Sequence, residues 1–92
     1  MRERDVERAL IRQVMKAGGL CLKFVSPGWD GAPDRICLWP NKRITFVEVK
    51  RPGAKPRPLQ AKRIEQLREL GFEAVVVDSF EKAAKLGGGG DA

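Results

Sequence analysis

The chain has 92 residues, 33% of them charged, with 18 Lys and Arg against 12 Asp and Glu and no histidine, for a formal charge of +6. That length suits one domain with a small core. No apolar run reaches membrane-spanning length, and the start Met1-Arg2-Glu3-Arg4-Asp5 lacks the apolar segment of a signal peptide, so a cytoplasmic protein is expected. Without histidine, any metal must be held by carboxylates, carbonyls and water, which favours magnesium or manganese over zinc.

From about Asp5 to Ala17 the spacing is helical, closed by Gly18-Gly19. Leu10, Ile11 and Val14 form the apolar stripe, and Glu7 falls on the same inward face, where an acid needs a reason. Glu3, one turn earlier, should be more exposed. Residues 20–25 read as a strand, and 26–33, rich in Pro and Gly, as a loop. Cys21 and Cys37 lie in separate apolar runs, form no CxxC pair and read as buried reduced thiols.

Residues 35–39 and 43–50 read as a hairpin around Pro40-Asn41-Lys42. The second of these strands is apolar on both faces, as a central strand covered on both sides would be. Trp39 should pack in the core. The stretch from Arg51 to Pro58 is basic and Pro-rich and continues neither structure. A second helix is expected from Pro58 to Leu70, with Ile64 and Leu67 inward and Gln60 on the same stripe. Glu73–Val77 is a fourth strand, and Asp78 with Glu81 a capping box for a short helix ending near Leu86. Residues 87–92, Gly-Gly-Gly-Gly-Asp-Ala, read as a disordered tail. The resulting order, α-β-β-β-α-β-α, gives an α/β domain over residues 1–86: a mixed sheet with helices on each face.

The chemistry concentrates at two points. Asp34 follows a proline at the start of the second strand, and Glu48 and Lys50, two apart in the third, share one face of it. A charged pair ending an apolar strand is costly to desolvate unless something compensates it. Two carboxylates suit a hard divalent cation, with a lysine left to act on water or phosphate. Taken singly, Asp34 reads equally as a turn residue and Glu48–Lys50 as a strand-end ion pair. Around them Lys42, Arg43, Lys50, Arg51, Lys55, Arg57, Lys62 and Arg63 have only Glu48 as an acid among them. Such a field attracts a polyanion, nucleic acid first of all.

These residues, with Glu7, Lys23-Phe24-Val25-Ser26-Pro27-Gly28, Gly31-Ala32-Pro33-Asp34-Arg35, Phe46-Val47-Glu48-Val49-Lys50 and Gln60, resemble the VRR-NUC domain, a branch of the PD-(D/E)xK nucleases, in its compact stand-alone form. The similarity spans residues 3 to 86. Glu7-Arg8 and the Ser26 loop also look like the archaeal Holliday-junction resolvases. The resemblance implies a restriction-endonuclease-like fold and hydrolysis of DNA phosphodiesters dependent on Mg2+ or Mn2+. It further implies a homodimer acting on branched DNA such as four-way junctions.

Residue by residue, the resemblance implies that Asp34, Glu48 and the Val49 carbonyl ligate the metal, while Glu7 holds a metal-bound water or a second metal. Lys50 would orient the attacking water or stabilise charge on the phosphate, and Gln60 would orient Lys50 or a water. Lys23, Ser26, Arg35, Arg51, Lys55, Arg57 and Arg63 are candidate DNA contacts; a turn role fits Ser26 equally, and a surface role Gln60. Trp29 could stack at an open branch or sit in a dimer interface. The helix entry at Arg57-Pro58 lacks the usual Ser or Thr cap. A catalytically silent or partner-dependent DNA-binding module with the same fold is the alternative.

Overall fold

Val6, Ala9, Leu10 and Val14 recur at helical spacing, and all four are buried along one face of α1 (Glu3–Lys16). The stripe therefore starts a turn earlier than expected, and Ile11 sits at its margin. Gly18, at φ +87°, ends the helix in the left-handed conformation. The amides of Gly18 and Gly19 close back onto the Met15 and Val14 carbonyls at 2.9 Å each. The computed structural model describes residues 1–88.

Four strands follow the expected order: β1 (Leu20–Lys23), β2 (Arg35–Leu38), β3 (Ile44–Val49) and β4 (Glu73–Val77). They lie side by side as β1-β2-β3-β4, antiparallel except for the parallel pair β3/β4. The crossover between β3 and β4 contains α2 (Pro58–Glu69), and α3 (Phe80–Gly88) closes the chain. The mixed α/β fold is the expected one.

Alternation along β3 divides the core in two. Val47 and Val49 face α1 and α3, in a cluster with Val6, Leu10, Val14, Cys37, Trp39, Val77 and Ala83. Phe46 faces α2, packed with Ile64, Leu67 and Ala74 and edge-on to Phe24 and Phe72. Glu48 shares the parity of Phe46 and therefore belongs to the α2 face. Trp39 is buried as expected, its Nε1 donating to Thr45 Oγ1 at 3.0 Å.

At the start of β3, Arg43 forks onto both Glu73 carboxylate oxygens at 2.9 and 3.0 Å, and donates to the Leu86 carbonyl at 3.1 Å. This ties β3, β4 and α3 together. It also places Lys42 and Arg43 at the opposite end of β3 from Lys50, about 20 Å away at strand rise. The basic run in the sequence is thus two groups in space.

The last helix is capped by Ser79 rather than Asp78. Ser79 Oγ accepts the Lys82 amide at 3.1 Å, while Asp78, outside the helix, pairs with Lys82 Nζ at 3.0 Å. The helix also runs on through Gly87 and Gly88, where a disordered tail was expected; residues 89–92 of that tail lie outside the described residues. No helix among the described residues is long and apolar enough to cross a membrane.

Leu10 is fully buried at the centre of the α1 face. Leu10→Ala should cost about 3 kcal/mol of stability, read as a lowered urea midpoint with unchanged far-UV dichroism of the folded baseline.

Candidate metal and catalytic site

β3 has to be buried on both faces to serve as a central strand, and that requirement carries Glu48 inside with it. Glu48 is 1% exposed. Its Oε2 lies 3.3 Å from Lys50 Nζ, the neighbour two residues on along the same face. Its Oε1 is buried and has no hydrogen-bond partner among the described residues. A carboxylate oxygen left bare in the interior is a large expense for so small a fold.

Asp34 arrives from the other side of the hairpin. Phe24 N–H donates to the Asp34 carbonyl at 2.9 Å, extending the β1/β2 ladder by one pair. The Asp34 side chain then reaches β3, its Oδ2 accepting the Val49 amide at 3.0 Å. The Lys50 amide is used by β4, through the Val77 carbonyl at 3.0 Å. Within an extended residue the N–H and C=O leave the strand on the same side, so the Val49 carbonyl is also turned toward Asp34. Asp34, Glu48 and the Val49 main chain therefore meet at one end of the sheet.

Burial, and then the Asp34 charge, push the Glu48 carboxyl up to about 7; Lys50 opposes them, and Glu3 adds to the rise. A carboxylate whose ionisation is suppressed by burial and by a second acid close by fits a hard divalent cation. The cation would satisfy the bare oxygen and stabilise both charges. The donors are oxygen only, consistent with magnesium or manganese and not with a thiolate or imidazole site.

Gln60, from the first turn of α2, is 8% exposed. Its Oε1 accepts the Arg57 amide at 2.8 Å, which supplies the helix start with the cap that Arg57 and Pro58 cannot. The β1–β2 loop is pinned to the same helix. A Cβ on Gly31 would come within 2.8 Å of the Leu59 Cγ, so a larger residue cannot fit there. Arg63 donates to the Asp30 carbonyl at 2.7 Å and to Gln66 at 2.9 Å, and covers the Trp29 ring at 4.9 Å. Loop and helix together hold Asp34 and Gln60 in place.

Other expected residues are placed differently. Glu7 is committed to Arg35, whose Nε donates to its Oε2 at 3.1 Å. Arg35 points to the α1 face, opposite Glu48, because it shares the parity of Cys37. Among the described residues no three acidic, His or Cys side chains lie together as a cluster, and the Glu7 carboxylate is directed at Arg35. The first-helix acid that Glu48 senses is Glu3. Glu3 is exposed, as expected, and the seating of α1 across the sheet brings its charge near.

Arg35 and Arg63 are likewise taken up within the protein rather than free for a partner. Lys23, Arg51, Lys55 and Arg57 are exposed, Ser26 is half-buried, and its carbonyl accepts the Trp29 amide at 3.1 Å in a tight turn. Trp29 is partly buried, packed against the α2-face cluster and under Arg63.

The Glu48 shift sets a sign for pH dependence. Between the ordinary value of 4.5 and about 7, the folded protein keeps a proton that the unfolded chain has released. The contribution of Glu48 is therefore favourable at low pH and is lost as pH rises toward 7. In metal-free buffer Glu48→Gln should exceed wild type in stability by roughly 1–3 kcal/mol at pH 8, and the gain should vanish near pH 4.5. Urea titrations at the two pH values check it.

Comparison with known proteins identifies the family. The model of the VRR-NUC domain matches residues 4–81. A protein of Acyrthosiphon pisum secondary endosymbiont phage 1, named "Putative nuclease p44", is 47% identical over 86 residues, covering 94% of this chain and 92% of that protein. A solved structure described as a VRR_NUC domain superposes with a TM-score of 0.85 at 35% identity, covering 91% of each chain. With the family model over residues 4–81, the phage relative and the solved structure all matching most of its length, the chain belongs to the VRR-NUC family of nuclease domains.

Proposed function

We propose that this nuclease domain hydrolyses DNA phosphodiester bonds at the Asp34–Glu48–Lys50 end of its sheet, with Mg2+ or Mn2+ held by Asp34, Glu48 and the Val49 carbonyl. The observation that carries the reading is the bare, buried Glu48 oxygen beside a second carboxylate and a lysine. When bound, the cation supplies charge to polarise the phosphate and to lower the pKa of water. Asp34, fixed by the Val49 amide, orients that cation, and burial keeps Glu48 from turning away. Lys50, 3.3 Å from Glu48 and only 17% exposed, holds its ammonium where a water can be aligned and where charge accumulates on the phosphate as the P–O bond breaks. Gln60 positions the start of α2 by accepting the Arg57 amide, and its side-chain amide would orient Lys50 or a water.

Lys23, Arg51, Lys55 and Arg57, the exposed cations toward this end of the sheet, hold the DNA backbone, and Ser26 adds a hydroxyl from the loop. Such contacts fix the duplex without reading sequence. A chain of this size offers one site, so paired cuts on a branched substrate such as a four-way junction call for a homodimer. This preference for branched DNA and the dimer are the finer parts of the proposal.

The test is cleavage of matched linear, flapped and four-way DNA with Mg2+ or Mn2+. Wild type should cut, with paired nicks on the four-way substrate. Asp34→Ala and Glu48→Ala should lose at least ~100-fold in rate while still binding DNA, since each removes transition-state charge stabilisation. Lys50→Ala should slow cleavage with unchanged metal affinity. DNA binding without metal-dependent cutting by wild type would instead support a silent module.

Affinity should also fall steeply with salt. Removing Arg51 or Lys55 should reduce the slope of log K against log salt by about 1 each, as expected for the loss of one phosphate contact. Filter binding between low and moderate salt reads that slope.

A further inference from the structure

The two cysteines, separated by 16 residues in the sequence, are direct partners across β1 and β2. The Phe24 amide to Asp34 carbonyl bond identifies 24/34 as a hydrogen-bonded pair of this antiparallel ladder. Stepping along by twos makes 22/36 and 20/38 hydrogen-bonded as well, so Cys21/Cys37 occupies a non-hydrogen-bonded position. There the Cα atoms approach to about 4.5 Å and side chains come closest. A disulfide spans roughly 4.4–6.8 Å between Cα atoms, so the strand spacing already accommodates one.

The sulfurs stand 3.8 Å apart. Their surroundings are unequal. Cys37 is fully buried among the α1-face residues, whereas Cys21, on the edge strand, is half-buried and reachable from solvent. Arg35 lies over the same strand, its Nη1 donating to the Cys21 carbonyl at 3.4 Å.

We propose that Cys21 and Cys37 form a reversible redox site, in which Cys21 reacts with a hydroperoxide and Cys37 closes a cross-strand disulfide. The contact from the Cys37 thiol, followed by the Arg35 charge, lowers the Cys21 thiol from its ordinary value against burial and the Glu7 charge. The same contact, with burial, pushes Cys37 up. The difference in exposure, Cys21 half-buried and Cys37 fully buried, marks Cys21 as the nucleophile.

The Cys21 thiolate attacks one peroxide oxygen. The O–O bond breaks, the other oxygen leaves as water or alcohol after taking a proton, and Cys21 becomes a sulfenic acid. Cys37 Sγ then attacks Cys21 Sγ: the S–S bond forms, the S–O bond breaks, and the Cys37 proton leaves with the hydroxyl as water. Two thiols are oxidised by two electrons, and one peroxide is reduced. The sulfurs need only close from 3.8 Å to about 2.05 Å, within reach of side-chain rotation. A dithiol reductant reverses the step by exchange.

The bond would fasten the edge strand β1 to β2 on either side of residues 24–34, the segment that ends in Asp34. It involves no metal ligand and does not depend on the nuclease reading.

The test treats the full chain with hydrogen peroxide at low molar excess. The expected product is a monomer lighter by about 2 Da, with no thiol free after unfolding, melting roughly 10 °C higher, and restored by dithiothreitol. Cys37→Ala, with the resolving thiol gone, should accumulate a dimedone adduct at Cys21, and Cys21→Ala should leave Cys37 unreacted in the folded protein. Covalent dimers as the main product, a Cys21 sulfinic acid in wild type, two intact thiols, or a lowered melting temperature would each overturn the proposal. The wild-type mass and melting readouts stand even where a variant fails to fold.

Discussion

The burial of Glu48 in the central strand is the constraint on which the rest of this small structure depends. A carboxylate with one oxygen on Lys50 and the other bare is tolerated only because neighbouring groups hold it in place. Val47 and Val49 on one side and Phe46 on the other fasten β3 between two layers of helix, so the strand cannot rotate to release its acid. A one-residue slip would carry the whole apolar set of β3 to the wrong faces. The packing therefore enforces an arrangement that electrostatics opposes, as functional sites commonly require.

Around that strand, polar groups are used economically. Arg43 links β4 and α3 to the start of β3, and Arg63 anchors the loop to α2 with one guanidinium serving a carbonyl, an amide side chain and an indole face. Gln60 accepts an amide that would otherwise be lost at the helix start. These contacts withdraw several basic groups from the surface. Lys23 at the end of β1 and Arg51, Lys55 and Arg57 in the Pro-rich connection after β3 remain exposed.

The opposite face of the sheet has its own polar layer, with Glu7 on Arg35 and the two thiols beside them. The acid on the inner side of α1 has Arg35 as its partner. The pair and the thiols lie on the α1 side of β2, the strand that starts beside Asp34.

Much could be read before folding was considered, because it depends on local chemistry. The strand and helix periods, the glycines that end α1 and α2, the Pro58 helix start and the order of Asp34, Glu48 and Lys50 are properties of short segments and their backbone preferences. Contact partners are not local. Tertiary structure decided that Glu7 meets Arg35 while Glu3 adds, after Asp34, a minor charge near Glu48, because the seating of α1 on the sheet is set by its whole apolar stripe. It decided that Cys21 and Cys37 touch, since strand register follows from the hairpin and the buried faces together. It also separated Lys42 and Arg43 from Lys50, because an extended strand turns sequence neighbours into opposite ends of a sheet.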